Sequence, residues 1–259
     1  MFSHEGSARS SRQNRALAGY LAFIGGFVNS AGFVLIGTFT SHVTGNVGRL
    51  ANDAARGHYL AAVAALTMIV CFFAGAFLVS VLVESHVFRY RASAYALALA
   101  IESALLVLFT VLSLVIAVSH AQVQDAEALL LCAAMGMQNA LVTRLSGAVV
   151  RTTHLTGVIT DLGIEAARWL RYWRGEVSGR TKLPIFWSSN APEKPAMEKL
   201  LLLTTIAGAF LGGAACGAWS AVRTGHASML FAAVAVGACA AYAAGHRYSP
   251  DGEAEHSRR

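Results

Sequence analysis

The sequence predicts an all-α fold: a polytopic membrane protein of about six transmembrane helices, in two inverted three-span repeats with polar helix breaks. Three observations lead there. The 259 residues are 56% hydrophobic and only 13% charged, whereas a soluble chain carries about twice that share of charge. Several apolar runs approach the ~20 residues that cross a bilayer core as a helix. Finally, the order of short motifs in the first half returns in the second.

The elements follow in order. Residues 1–15 are rich in serine and arginine and poor in apolar groups, which predicts a disordered tail. Apolar runs at 16–37, 59–83, 92–118, 126–143, 199–222 and 226–245 read as spans. The first is too long for a signal-peptide core and lacks a small-residue cleavage site. The fourth is short, carries Gln138 and Asn139, and is closed by Arg144. Between the fourth and fifth, 158–174 is amphipathic. Arg168, Arg171 and Arg174 run beside Trp169, Tyr172 and Trp173, the pattern of a helix lying in a membrane interface. Pro184, Pro192 and Pro195 mark 175–197 as one long polar loop. The units are therefore 16–120 and 121–248, the latter including that loop, with a second disordered tail at 249–259.

The net charge is +6 and the mean hydropathy +0.54. The basic residues cluster by loop. One side holds Arg9, Arg12, Arg15, Arg89, Arg91, the run from Arg168 to Lys199, Arg247, Arg258 and Arg259. The other holds Arg49, Arg56 and Arg223. The positive-inside rule then puts both termini in the cytoplasm. No nucleic-acid recognition motif accompanies the charge, so no nucleic acid is expected as a partner. Cys71, Cys132, Cys216 and Cys239 each sit in an apolar run without C-x-x-C spacing, which excludes a sequence-legible zinc site or disulfide framework. No Walker A loop, G-x-S-x-G, H-E-x-x-H or dinucleotide fingerprint is present. Neither a cofactor nor an enzymatic activity is expected.

The repeat is carried by Thr40-Ser41-His42-Val43-Thr44-Gly45 and Thr152-Thr153-His154-Leu155-Thr156-Gly157. Upstream, Gly26 and Asn29 correspond to Gly136 and Asn139. Downstream, Ala74-Gly75-Ala76-Phe77-Leu78 corresponds to Ala207-Gly208-Ala209-Phe210-Leu211. A unit with an odd number of spans re-enters the membrane inverted, an architecture shared by many secondary transporters.

Each polar motif breaks a helix after the leading span. Thr44 or Asn46 can cap the helix that follows, Thr156 its counterpart, and Gly45 and Gly157 permit a turn. Exposed N–H groups at such a break favour an anion or polar ligand, provided the break lines a cavity and not the membrane surface. The candidate solute-binding residues are Asn29, Thr40, His42, Thr44, Gly45 and Asn46 in the first unit. In the second they are Asn139, Arg151, Thr152, His154, Thr156 and Gly157. Glu102 is a carboxylate well inside a span, a candidate for a proton or coupling ion. Gly208, Gly212, Gly213 and Gly217 form overlapping G-x-x-x-G patterns that permit close packing within the chain or between protomers of a homo-oligomer.

Gly26-Phe27-Val28-Asn29, Thr44-Gly45-Asn46, Gly136-Met137-Gln138-Asn139 and the Arg151–Gly157 motif together resemble the YoaK-like family of bacterial membrane proteins, a domain of unknown function (family 1275). The resemblance spans about residues 15–245. It implies a six-span protein of the bacterial inner membrane and no particular substrate. Asn29 departs from the aspartate that the family often carries there. The lipid bilayer and a small polar solute are the expected partners. The leading functional reading is a secondary transporter or permease for a small polar or anionic solute. The alternatives are a membrane redox protein or other enzyme using His42, His154 and Glu102, and a scaffold or sensor using loop 175–197.

Overall fold

The computed structural model describes residues 11–85, 91–115, 120–145, 155–177 and 194–245. Every regular element among them is helical: α1 (Ser11–Ile36), α2 (Val43–Ala55), α3 (Tyr59–Glu84), α4 (Arg91–Val115), α5 (His120–Leu145), α6 (Leu155–Val177), α7 (Met197–Thr224) and α8 (Met229–Gly245), with a 3-10 turn at Gly225–Ser228. Each apolar run thus forms a helix close to its expected bounds. Because α1 begins at Ser11, its first residues fall in the segment expected to be disordered. The expected interfacial helix lengthens to become α6. Residues 1–10, loop residues 178–193 and the tail at 249–259 lie outside the described residues.

Five stretches are long and apolar enough to cross a membrane: Arg15–Ile36, Tyr59–Glu84, Ala94–Leu114, Asp125–Arg144 and Met197–Gly245. The last runs through α7, the 3-10 turn and α8. The chain is a helical membrane protein. Its surface agrees: α3 exposes Leu66, Val70, Phe73, Phe77 and Leu78 along its length, a contiguous apolar wall that in water would drive association and in a bilayer meets lipid.

Helix packing is governed by glycine. The most extensive contact is α1 with α7, followed by α3 with α5 and α4 with α8. A β-carbon on Gly26 would collide with the Phe210 carbonyl oxygen, and one on Gly213 or Gly217 would collide with the carbonyls of Phe23 or Phe27. The α3–α5 crossing has the same form, with Gly75 against the Ala133 carbonyl and Gly136 against that of Phe72. Small residues allow this backbone approach, which replaces the missing hydrophobic drive between helices in lipid. Gly19 of α1 faces Thr205 of α7 while Phe27 faces Gly217, and Met68 of α3 packs with Ala128 and Cys132 of α5 while Glu84 meets Arg144, so the paired helices run parallel. In α4 and α8 they run oppositely: Ser103 Oγ donates to the Ala233 carbonyl at 2.8 Å, and Thr110 Oγ1 to that of His226 at 3.4 Å. The core is filled by Leu17, Leu21, Leu99, Leu106, Phe109 and Met135 among others.

Two details correct the sequence reading. The matching pentapeptides are not equivalent in packing, because Gly75 lies against α5 while Gly208 has open space around it. Of the overlapping glycine patterns, Gly213 and Gly217 are consumed inside the chain by α1, and Gly208 is not used there.

Polar links secure the ends. Arg144 donates to Glu84 at 2.6 Å and reaches Ser80 at 3.4 Å, tying the end of α5 to α3. Glu165 on α6 accepts from Arg168 and from Lys199 of α7, both at 2.8 Å. The Lys199 hydrogen bond, with the nearby positive charges, holds the Glu165 carboxyl below the usual carboxylate range against the opposing effect of burial.

Candidate functional site

The first break begins where α1 ends. Gly37 has φ +71°, the left-handed conformation that glycine takes without strain, and its N–H closes the last turn on the Phe33 carbonyl at 2.9 Å. The backbone turn therefore belongs to Gly37. Gly45 lies within α2, as do Thr44 and Asn46, and the residue before the helix is His42, whose side chain makes no cap hydrogen bond. The expected capping roles of Thr44 and Asn46 are not what the fold uses.

The segment between α1 and α2 is tied at both ends. Asn29 Oδ1 accepts from the Ser41 N–H at 3.3 Å and from Ser41 Oγ at 3.0 Å. Arg49 Nη1 donates to Thr38 Oγ1 at 3.0 Å. Phe33 and Phe39 stack with ring centroids 4.2 Å apart, and His42 meets Phe39 edge-on at 6.5 Å. Gly45 leaves room for this arrangement, since a β-carbon there would lie 2.5 Å from His42 Nδ1. The result is an open cleft of about 300 Å³, floored by Phe33 and Phe39 and lined by Thr38, His42, Asn46 and Arg49. Asn46 is buried there. Among the described residues no carboxylate lines the cleft, and its fixed charge is the Arg49 guanidinium. Four of that group's five N–H donors remain after the bond to Thr38.

The other candidates fall elsewhere. Thr40 is buried beside Gly32 of α1, its hydroxyl without a partner among the described residues, and Thr44 is exposed. Asn29 acts on the loop from behind. In the second unit Arg151, Thr152 and His154 lie outside the described residues. Thr156 and Gly157 are exposed in the first turn of α6, where the Thr156 carbonyl accepts from Thr160 at 2.9 Å. Asn139 is buried in α5 and donates to the Met135 carbonyl at 2.9 Å.

The C-terminal ends of α1 and α5 do not converge. Ile36 packs beside Ala128 and Cys132, whereas Gln138 reaches the Leu21 carbonyl at 3.3 Å, so α1 and α5 run antiparallel. Their C-terminal ends, Ile36 and Leu145, point to opposite ends of the bundle. Leu21 and Ile36 are separated by about 22 Å of helical rise.

Glu102 sits mid-helix in α4, fully buried, with neither carboxylate oxygen partnered among the described residues. The Tyr20 hydroxyl and the Cys239 thiol lie within its electrostatic reach. Tyr20 itself donates to the Ala235 carbonyl at 2.6 Å. Among the described residues no three histidine, cysteine, aspartate or glutamate side chains group as metal ligands.

Arg49, Thr38, Phe33 and Phe39 are the site residues that motif matching passed over. A signal for Arg49 was present: His42, Gly45, Asn46 and Arg49 fall at i, i+3, i+4 and i+7, one face of a helix.

A family described as a protein of unknown function, DUF1275, matches residues 17–242. The chain belongs to the DUF1275 family. The match runs from the first turns of α1 to the last turn of α8. It takes in the cleft, Glu102 and both Thr-Gly motifs, so these belong to the family's domain and are not appended to it. Neither the curated proteins nor the solved structures contain a match to the chain.

Proposed function

We propose that this DUF1275 protein is a secondary transporter or permease for a small anionic solute, with six spans in two inverted three-span units. The observation that carries this reading is the cleft at the first break. It presents a guanidinium, an imidazole and a buried amide, with no acid among the described lining residues to oppose an anion. Its volume is at the lower end for small-molecule sites.

The architecture supports a transporter. Setting α1 against α5 and α3 against α7 carries Gly26 onto Gly136, Phe23 onto Ala133, Phe72 onto Phe210 and Gly75 onto Gly213. The two glycine crossings then become copies of each other, and the two breaks exchange ends. This is the relation expected of inverted repeats that rock about a shared centre. The 17 residues of α8 rise about 26 Å, close to the ~30 Å bilayer core, so that α7 and α8 count as two spans. With the positive-inside orientation both termini are cytoplasmic and the cleft opens outward. Glu102, buried mid-helix with no partner among the described residues, is the coupling site, carrying a proton.

The test is uptake into proteoliposomes of radiolabelled phosphate, sulfate and acetate, with and without a proton gradient. His42→Ala and Arg49→Ala should each abolish uptake of the transported anion, and Glu102→Gln should abolish its dependence on the gradient. Uptake unaltered in both cleft variants would sink the assignment of the cleft.

A further inference from the structure

At the end of the bundle where α4 finishes, three elements bring a second acid into a built environment. Glu127 on α5 is 1% exposed. Its Oε1 accepts a hydrogen bond from Ser113 of α4. Its Oε2 has no hydrogen-bond partner among the described residues and lies 3.6 Å from Nε2 of His226, in the 3-10 turn between α7 and α8. The His226 ring is a third exposed and rests against Phe109 at 5.7 Å between centroids, while its backbone carbonyl accepts from Thr110.

We propose that Glu127 and His226 form a proton-loading site for Glu102, with His226 as the solvent-facing donor. This rests on the reading of Glu102 as a proton site. A fully enclosed carboxylate exchanges protons with water only through a neighbour, and imidazole is the side chain suited to that exchange near neutral pH. Water passes a proton to His226 Nε2. His226 then passes it to Glu127 Oε2, leaving a neutral imidazole and a neutral carboxyl, with one proton taken from solvent. A metal cation fits poorly, since a protonatable nitrogen faces the open oxygen and oxygen donors are few.

Among the described residues no other acid or base pairs with Glu127 or His226. On α7 the nearest charge is Arg223, which sits over the exposed Trp219 ring at 5.8 Å. On α5 Asp125 is exposed. The part of α8 that follows the turn carries no charged residue, and Tyr20 is the only titratable residue of α1 beyond Arg15.

The link to Glu102 is α4 itself. Glu102, Leu106, Phe109, Thr110 and Ser113 follow the i, i+4, i+7, i+8, i+11 spacing of one helix face, over about 16 Å. Leu106 and Phe109 are fully buried between the two acids, so the path is shut in this conformation and proton transfer awaits a shift along the α4–α8 seam.

The experiment is infrared difference spectroscopy on the full-length protein in lipid nanodiscs after a rapid drop in pH, reading protonated-carboxyl bands. Two bands are expected. Glu127→Gln should remove one and slow the other, and Glu102→Gln should remove the other while sparing the first. His226→Gln keeps a hydrogen-bonding side chain of similar reach but cannot carry the proton. It should slow the Glu102 band at least tenfold, with an unchanged elution profile showing that the protein is folded. Both bands persisting in Glu127→Gln, or an unslowed Glu102 band in His226→Gln, would overturn the proposal. An absent Glu102 band alongside a normal Glu127 band would overturn the link between the sites. In each case anion uptake by the wild-type protein tests the transporter reading separately.

Discussion

At the scale of single residues, the first break depends on two contacts. Gly45→Ala would push the His42 imidazole off α2 and open the cleft on that side without touching Arg49. The expected outcome is anion binding weakened several-fold, measured by isothermal titration with the best anion from the uptake panel. Arg49→Ala removes a charge-assisted contact worth about 1.5–3 kcal/mol, so that binding should fall by about ten- to a hundredfold. Glu165 gives a prediction in pH. Its carboxyl is held below the usual range by Lys199 and Arg168, so the folded state favours the ionised form. That stabilisation is complete above the unfolded carboxylate's range and is lost as pH falls through the folded value. Thermal unfolding in detergent should therefore show an acid limb that is flatter in Glu165→Gln. Motif comparison found His42 and Asn46 but not Arg49, which the same sequence counts among the basic loop residues. Its role depends on helical phase, and that phase was fixed only once His42, not Thr44, preceded α2.

At the scale of elements, the apolar runs located the helices well because a bilayer leaves little choice: backbone groups in hydrocarbon must bond within the segment. Register between helices was less legible. The sequence aligned Gly75 with Gly208 through identical neighbours, but the packing partner of that type is Gly213, because what matters is which glycine faces the neighbouring backbone. The distinction is measurable. Gly213→Ala and Gly136→Ala press a methyl group into a carbonyl and should each destabilise the protein by about 1–3 kcal/mol, read as a lowered melting temperature in detergent. Gly208→Ala meets nothing and should be neutral or slightly stabilising, since alanine favours the helix.

At the scale of the whole molecule, the sequence established the membrane class and the order of the helices, while the placing of the C-terminal ends of α1 and α5 at opposite ends of the bundle needed the helix pairings. Single cysteines introduced at His42 and at Gly157, in a background lacking the native cysteines, should react with a membrane-impermeant maleimide from opposite faces. Labelling of both from one face would contradict the inverted arrangement. The same pairings bear on how the protein is made. The main partner of α1 is α7, and that of α3 is α5, so each half keeps its largest seam open until the other half arrives. During synthesis α1 meets its main partner only once α7, which ends at Thr224, has been made. Two separately expressed halves, 1–120 and 121–259, should each be degraded alone and should rescue each other when made together.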